Sequence, residues 1–139
     1  MASPNAGDVA RKSTAYYPLW LDNLAQDVTV EGAAMQGVLN GAECVHRLIT
    51  DARKLYENQE FQFTGNYGDG FLEEYTCKIR GEPTRVVVVV KRDSAGRTQH
   101  IVVNHRPRSS LLLFARLMGQ NYSGTPLAKY FISSEPRET

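Results

Sequence analysis

Glu73 is the residue whose position in the sequence most favours chemistry. Over residues 71–79 the odd positions are Phe, Glu, Tyr, Cys and Ile, whereas the even positions include Glu74 and Lys78. Because side chains alternate between the two faces of a strand, Glu73 is predicted to point inward with the apolar residues. Burial raises the pKa of a carboxyl group and prepares it for acid or base catalysis near neutral pH. A bulge that shifted the register would instead place Glu73 in solvent or at a dimer interface.

His100 and Asn104 form a second candidate pair, because they share one face of the strand predicted over residues 98–105. An imidazole can transfer a proton at physiological pH, and an amide can donate a hydrogen bond to a carbonyl group. The opposite face carries Ile101 and Val103 and is the more apolar one. The alternation therefore leaves open which face of this strand lines a pocket. If it is the His100 face, His100 is a catalytic candidate beside Glu73.

The other two histidines are weaker candidates for a functional role. His46 falls on the polar flank of a predicted helix, which indicates a surface position. His105 ends a strand beside Arg106, which favours a structural role.

The two cysteines lack the CxxC or Cys/His spacing of a zinc site, and no phosphate-binding loop, dinucleotide fingerprint, GxSxG or HExxH stretch occurs. The sequence therefore predicts no metal and no cofactor.

Aromatic residues are numerous enough to line a pocket for a flat organic ligand, with one or two tyrosine hydroxyls reaching into it. Aromatic residues at these spacings are also typical of an ordinary core. The residues predicted to bind a ligand, together with Asn104, are Tyr17, Trp20, Tyr56, Phe63 and Tyr75.

The chain of 139 residues has the length of one domain. Residues 1–13 and 133–139 are small, polar and aperiodic, so we expect a disordered N-terminal segment and a flexible tail around a single domain over residues 14–132. The predicted elements are a short helix over 17–24, a strand over 28–31, a helix over 41–56 capped by Asn40, four strands between 60 and 105 joined by tight turns, and a helix from Ser109 or Ser110 to Gly119.

The order of these elements predicts an α+β fold. A run of hairpins cannot form a parallel sheet, so we expect a curved antiparallel sheet with helices packed on its concave face. Five consecutive valines at 86–90 indicate a central strand covered on both faces. The final helix, LLLFARLMG, is apolar nearly all round apart from Arg116, which favours a homodimer.

Charge and composition argue against several classes of partner. Sixteen basic and fifteen acidic residues give a net charge of +1, without the basic run of a nucleic-acid-binding protein. The N-terminal residues lack the apolar core of a signal peptide, and no stretch approaches the about 18 apolar residues of a membrane span. We therefore expect a cytoplasmic protein that binds neither nucleic acid nor membranes.

The run LAQDVTVEGAAMQGVLNGAECVHRLI, the four hairpin strands and the run SAGRTQHIVVNHRPRSSLLLFARLMG together resemble the nuclear transport factor 2-like superfamily, especially its SnoaL-like branch. The resemblance covers roughly residues 17–120. It implies a cone, in which a bent sheet and its helices surround a cavity. Members include ketosteroid isomerases, polyketide cyclases, epoxide hydrolases and dehydratases, as well as non-catalytic transport and scaffold domains. A fold shared by such different functions does not select one of them.

The resemblance also implies that known catalytic residues are missing. Gly32 falls where the isomerases have their proton-abstracting aspartate, and Val88 where they have the protonated acid of the oxyanion hole. The base of the polyketide cyclases would fall near Val103 or Asn104, and neither is an acid. Two hypotheses therefore stay open. One is a small-molecule protein with a hydrophobic ligand in its cone and cofactor-free acid/base catalysis of the isomerase, cyclase, dehydratase or hydrolase type. The other is a non-catalytic dimeric binding or scaffold module with a plugged cavity.

Overall fold

The computed structural model describes residues 16–132. The segment 1–13 and the tail 133–139, for which disorder and flexibility are predicted, lie outside the described residues. The helices and strands are β1 Leu24–Gly32, β2 Leu39–Asn40, α1 Ala42–Arg53, β3 Glu57–Tyr67, β4 Gly70–Ile79, β5 Glu82–Arg92, β6 Thr98–Arg106 and α2 Arg108–Asn121. Two short 3-10 helices, Leu19–Asp22 and Pro126–Tyr130, precede β1 and follow α2. Within residues 16–132 no helix has the length and apolar character needed to cross a bilayer.

The six strands form one sheet in the order β2-β1-β6-β5-β4-β3. The α+β class is confirmed, and the four predicted hairpin strands are β3 to β6. The sheet is mixed rather than wholly antiparallel, because the last hairpin strand, β6, lies parallel to β1. This parallel contact joins two strands that are separated in sequence by α1 and four other strands, so hairpin signals could not reveal it.

The core lies between one face of the sheet and the two helices. On α1 the residues Val45, Leu48, Ile49 and Ala52 are buried at helical spacing, as its amphipathic pattern predicts. The helix α2 packs on β4, β5 and β6, and α1 packs on β1 and β2. Both helices therefore cover the same face of the sheet.

The valine-rich strand β5 is buried on that inner face only. Val86, Val88 and Val90 are buried, whereas Val87 and Val89 on the outer face are partly exposed. The prediction that both faces are covered is therefore wrong for the described residues.

The ends of the first elements differ from the predicted ones. The first helical segment is a 3-10 helix that ends at Asp22, because Leu24 already begins β1. Asn40 belongs to β2 and does not cap α1. The N-cap is Gly41, whose φ of 111° is accessible at low cost only to glycine, and no side chain caps this helix.

The second helix also begins and ends differently. It begins at Arg108 after Pro107, and neither predicted serine caps it. The Ser110 hydroxyl instead donates to the Pro83 carbonyl at 2.8 Å, which ties α2 to β5. The helix continues beyond Gly119 to Asn121.

Candidate functional site

A narrow cavity lies between the inner face of the sheet, α1, α2 and the segment that precedes β1. Its walls are mostly apolar, and the space left for water-sized molecules is ≈ 40 Å³, room for about three waters. The polar or aromatic residues that line it are Tyr16, Trp20, Arg53, Tyr56, Gln59, Glu73, Tyr75, His105, Phe114 and Phe131.

Glu73 lies in the wall of this cavity and is only 7% exposed. The register of β4 places it on the same face as Tyr75 and Cys77, which are also buried. The Tyr16 hydroxyl lies 3.0 Å and 2.9 Å from the two carboxylate oxygens and donates a hydrogen bond to this carboxylate. The bulge that would have turned Glu73 outward is absent between β4 and β5, whose register is continuous from residue 70 to residue 79.

The pKa of Glu73 is raised above its ordinary value because burial penalises the charged form. The Tyr16 hydrogen bond opposes this rise by stabilising the carboxylate. The Trp20 indole N–H acts in the same direction as Tyr16, although it does not reach hydrogen-bond geometry with any described residue. The net effect is a raised pKa, because desolvation outweighs the hydrogen bond donated by Tyr16.

Tyr16 was not among the predicted site residues. Its ring packs against Phe61 with centroids 4.5 Å apart, and its carbonyl accepts a hydrogen bond from Arg53 on α1. Arg53 Nε is itself buried without a partner in the described part of the chain. Tyr16 precedes every regular element, so no periodicity could place it. The one signal for such a residue was that a buried Glu73 carboxylate needs a hydrogen-bond donor.

His105 forms the second polar centre of the cavity. Its Nε2 lies 2.8 Å from the Tyr56 hydroxyl, and its ring stacks on Phe114 with centroids 3.9 Å apart. Burial lowers the pKa of His105 to about 4, so the imidazole is neutral at physiological pH. Its Nδ1 is buried without a partner among the described residues. The sequence favoured a structural role for His105, and the structure adds a position in the cavity wall.

The strand register brings these two centres onto one surface. Glu73 pairs with Val88, which pairs with Val103, and the next inward row joins Tyr75, Val86 and His105. Two strand spacings and a two-residue offset put the Cα atoms of Glu73 and His105 roughly 12 Å apart. Side chains that reach inward from these positions can contact opposite ends of one small molecule.

The prediction that His100 and Asn104 line the cavity is wrong. The odd residues of β6, from Ile101 to His105, face inward, so the even residues face outward. His100 Nε2 instead lies 2.8 Å from a Glu31 carboxylate oxygen. The Asn104 side-chain oxygen accepts a hydrogen bond from the backbone N–H of Ala33 at 2.9 Å.

The predicted aromatic residues divide into two groups. Trp20, Tyr56 and Tyr75 line the cavity, and their role as ligand contacts stays a prediction. Tyr17 does not line it, because it is 40% exposed and its hydroxyl donates to Asp22 at 2.7 Å. Phe63 is 53% exposed on the edge strand β3, where the register shifts between Phe61 and Phe63 and turns this ring away from the core.

Comparison with known proteins rests on structure alone. No family model and no curated protein matches the sequence. An uncharacterised protein of Silicibacter pomeroyi with a cystatin-like fold is similar, with a TM-score of 0.71, 17% identity and coverage of 76% of this chain and 75% of that one. A steroid delta-isomerase of Pseudomonas aeruginosa gives a TM-score of 0.70, 18% identity and 85% coverage of both chains.

A third similar structure is a nuclear transport factor 2-like protein of unknown function from Burkholderia xenovorans. Its TM-score is 0.52 at 16% identity, with 60% of this chain and 64% of that chain covered. The chain has the nuclear transport factor 2-like fold. The predicted cone of a curved sheet and helices is thereby confirmed, and at these identities the likeness establishes the fold alone.

The structure shows what occupies the positions where the resemblance implies catalytic carboxylates. Val88 lines the cavity where the resemblance implies an acid in the isomerases. Val103, one of the two positions near which it implies the base of the cyclases, lines the cavity as well. At Gly32 a side chain is sterically excluded, because an added Cβ would lie 2.0 Å from the Val103 carbonyl oxygen. The cavity instead contains Glu73 on β4 and His105 at the end of β6.

Proposed function

We propose that this protein binds a small, largely apolar organic molecule in its cone and transfers a proton with Glu73, without a cofactor. The observation that supports this most directly is the buried Glu73 carboxylate with the Tyr16 hydroxyl across both of its oxygens. A carboxylate in apolar surroundings is a stronger base than one in water, because desolvation penalises its charge. The reaction class is proton transfer of the isomerase, cyclase, dehydratase or hydrolase type.

The opposite end of the cavity supplies a neutral hydrogen-bonding pair. Tyr56 and His105 are hydrogen-bonded to each other. Nδ1 of His105, which has no partner within residues 16–132, can donate to a ligand oxygen or accept from a ligand hydroxyl, according to its tautomer. The apolar residues between the two centres, including Val88 and Val103, bind the body of the ligand through burial of apolar surface.

Ligand binding can be tested with Trp20, the single tryptophan of the chain, which lines the cavity. Neutral aromatic compounds from benzene to naphthalene size need more space than the ≈ 40 Å³ left between the side chains, so their entry requires the cavity walls to move apart. Their binding is expected to change the fluorescence of Trp20. Val103→Phe, which fills the cavity, should weaken this binding at least tenfold. Val102→Phe adds the same ring to the outer face of β6 and should leave binding unchanged. Equal responses in both variants, or none in the wild type, would count against a ligand-binding cone.

A non-catalytic binding or scaffold module is the second candidate function. It is favoured by the small free space of ≈ 40 Å³ in the cavity. It is also favoured by Val88, which lines the cavity where the resemblance implies a catalytic acid in the isomerases. In this case Glu73 and Tyr16 would serve to fix the segment before β1 onto the sheet. A cavity closed to the whole aromatic series would support this candidate.

We also propose that the protein is a homodimer. Leu112 on α2 is 53% exposed, and Val87 and Val89 leave apolar surface on the outer face of the sheet. Replacing Leu112 by glutamate is expected to shift the mass in sedimentation equilibrium from dimer towards monomer. Gln120→Glu adds the same charge to an exposed position of α2 and serves as the control. A folded Leu112→Glu protein with the dimer mass would remove α2 from the interface.

A further inference from the structure

A second, open groove adjoins the cavity through the residues that separate the two. Tyr16, Trp20 and Glu73 line both spaces, so this trio forms the wall between the cavity and the groove. The groove offers ≈ 460 Å³ to water-sized molecules, against ≈ 40 Å³ for the cavity. A molecule that reaches Glu73 from this side must pass through the groove first.

Arg92 is the one cationic side chain that lines this groove in the described part of the chain. Its guanidinium lies over the Phe71 ring, 4.7 Å from the centroid, and donates one hydrogen bond to the Asp69 carbonyl at 3.3 Å. Among residues 16–132 no acidic side chain forms an ion pair with it. A guanidinium has five N–H donors, so most of those on Arg92 are unused within residues 16–132.

Three other polar side chains of the groove already donate to protein oxygens. The Tyr17 hydroxyl donates to Asp22, the Asn23 amide to the Gly96 carbonyl, and the Thr98 hydroxyl to the Trp20 carbonyl. Exposed apolar surface lies beside them, since Leu19 is 78% exposed. The groove thus combines apolar surface with one cation, Arg92, and has the Glu73 carboxylate in the wall that it shares with the cavity.

We propose that Arg92 is the anion-binding residue of this groove, and that the ligand is a small organic carboxylic acid with an apolar body. This inference rests on the proposed function, because the apolar body of the acid occupies the cone beyond Tyr16 and Glu73. The planar guanidinium fork matches a carboxylate, with which it can form two parallel hydrogen bonds. A dianionic phosphate fits less well, since a single cation faces it and the Glu73 carboxylate is close.

The strand geometry sets the length of such an acid. Phe71 lies two residues before Glu73 on β4, about 7 Å along the strand. The Arg92 guanidinium over the Phe71 ring is therefore on the order of 10 Å from the Glu73 carboxylate. After allowance for a contact distance at each end, a chain of about three methylenes between the carboxylate and an aromatic ring spans the gap.

The test compares ω-phenylalkanoic acids, from phenylacetate to 6-phenylhexanoate, with their neutral primary amides, and follows Trp20 fluorescence at pH 7.5. Wild-type protein is expected to bind 4-phenylbutyrate about tenfold more tightly than its amide, with weaker preference at both ends of the series. Arg92→Gln should remove this preference, because acid binding falls to the level of amide binding, and Arg92→Lys should keep part of it.

Lys91→Gln is the matched control, because Lys91 is the exposed neighbour of Arg92 on β5. This variant removes the same charge and should keep the wild-type preference for acids. Equal binding of acid and amide by the wild type, or an unchanged preference in folded Arg92→Gln, would overturn the assignment of Arg92 and leave the proposed function standing. Failure of every acid and amide to bind would instead contradict the proposed function and this inference together.

Discussion

Glu73→Gln is expected to slow proton abstraction in the cone by about 10²–10⁴-fold, the usual contribution of a positioned base. Glutamine preserves the shape of the side chain and can still accept a hydrogen bond from Tyr16, but it cannot accept the substrate proton. The measurement is the ring opening of 5-nitrobenzisoxazole, a neutral aromatic probe in which removal of one proton by a carboxylate releases a coloured phenolate. Initial rates of wild-type and variant protein are compared at equal concentrations.

Glu74→Gln is the control for this experiment. Glu74 is the next residue on β4, but it faces outward and pairs with Arg85 at 3.0 Å and Arg106 at 2.7 Å. The Glu74→Gln variant should keep the wild-type rate, since Glu74 does not line the cavity. Equal rates for Glu73→Gln and wild type, with both proteins folded by circular dichroism, would show that Glu73 is not a base and would favour the scaffold function.

The pH dependence of the same rate provides a second signature. Because burial raises the pKa of Glu73, the basic form accumulates only above the ordinary range of a carboxyl group, and the rate should rise with pH through that raised pKa. Stability follows the opposite trend. A group whose pKa is higher in the folded state favours folding while it is protonated, so this contribution is lost as pH rises through the folded-state pKa. The glutamine variant should lack both dependences.

Alternation along a strand was sufficient to predict the inward position of Glu73 but not that of His105. In β4 the contrast between the two faces is strong, because Tyr75 and Cys77 share the face of Glu73 while Lys78 lies on the other. In β6 both faces carry one histidine and at least one valine, so the alternation could not separate them. The inner face of β6 is defined by contacts distant in sequence, among them the contact of His105 with Tyr56, which follows α1.

Long-range contacts account for the other features that the sequence could not predict. Tyr16 joins the site because its carbonyl accepts a hydrogen bond from Arg53 and its hydroxyl donates one to Glu73, contacts across 37 and 57 residues. Asn40 has the residue type of a helix cap, yet its pairing with Thr29 draws it into β2. Local propensity predicts the elements well where the pattern is long, and less well where tertiary contacts decide the ends.

His105 is expected to make the folded protein sensitive to mild acid. The pKa of its imidazole falls from 6.5 to about 4 on folding, because burial penalises the charged form. Between these two values the unfolded chain binds a proton at His105 and the folded chain does not, so the free energy of unfolding falls as pH falls. The stabilisation is fully present above pH 6.5, and about 3 kcal/mol of it is lost by pH 4.

Urea unfolding at intervals between pH 7 and pH 4 measures this loss in the wild type and in His105→Gln. The variant cannot gain a proton at this position, so its free energy of unfolding should fall less steeply across the window. The expected difference in slope is about 1.4 kcal/mol per pH unit, the value for one proton. His100→Gln removes an imidazole from the outer face of the same strand, and its dependence on pH should still contain the steep component due to His105. Parallel curves for wild type and His105→Gln would mean that the imidazole is as easily protonated in the folded chain as in the unfolded one, and that the cavity is wet.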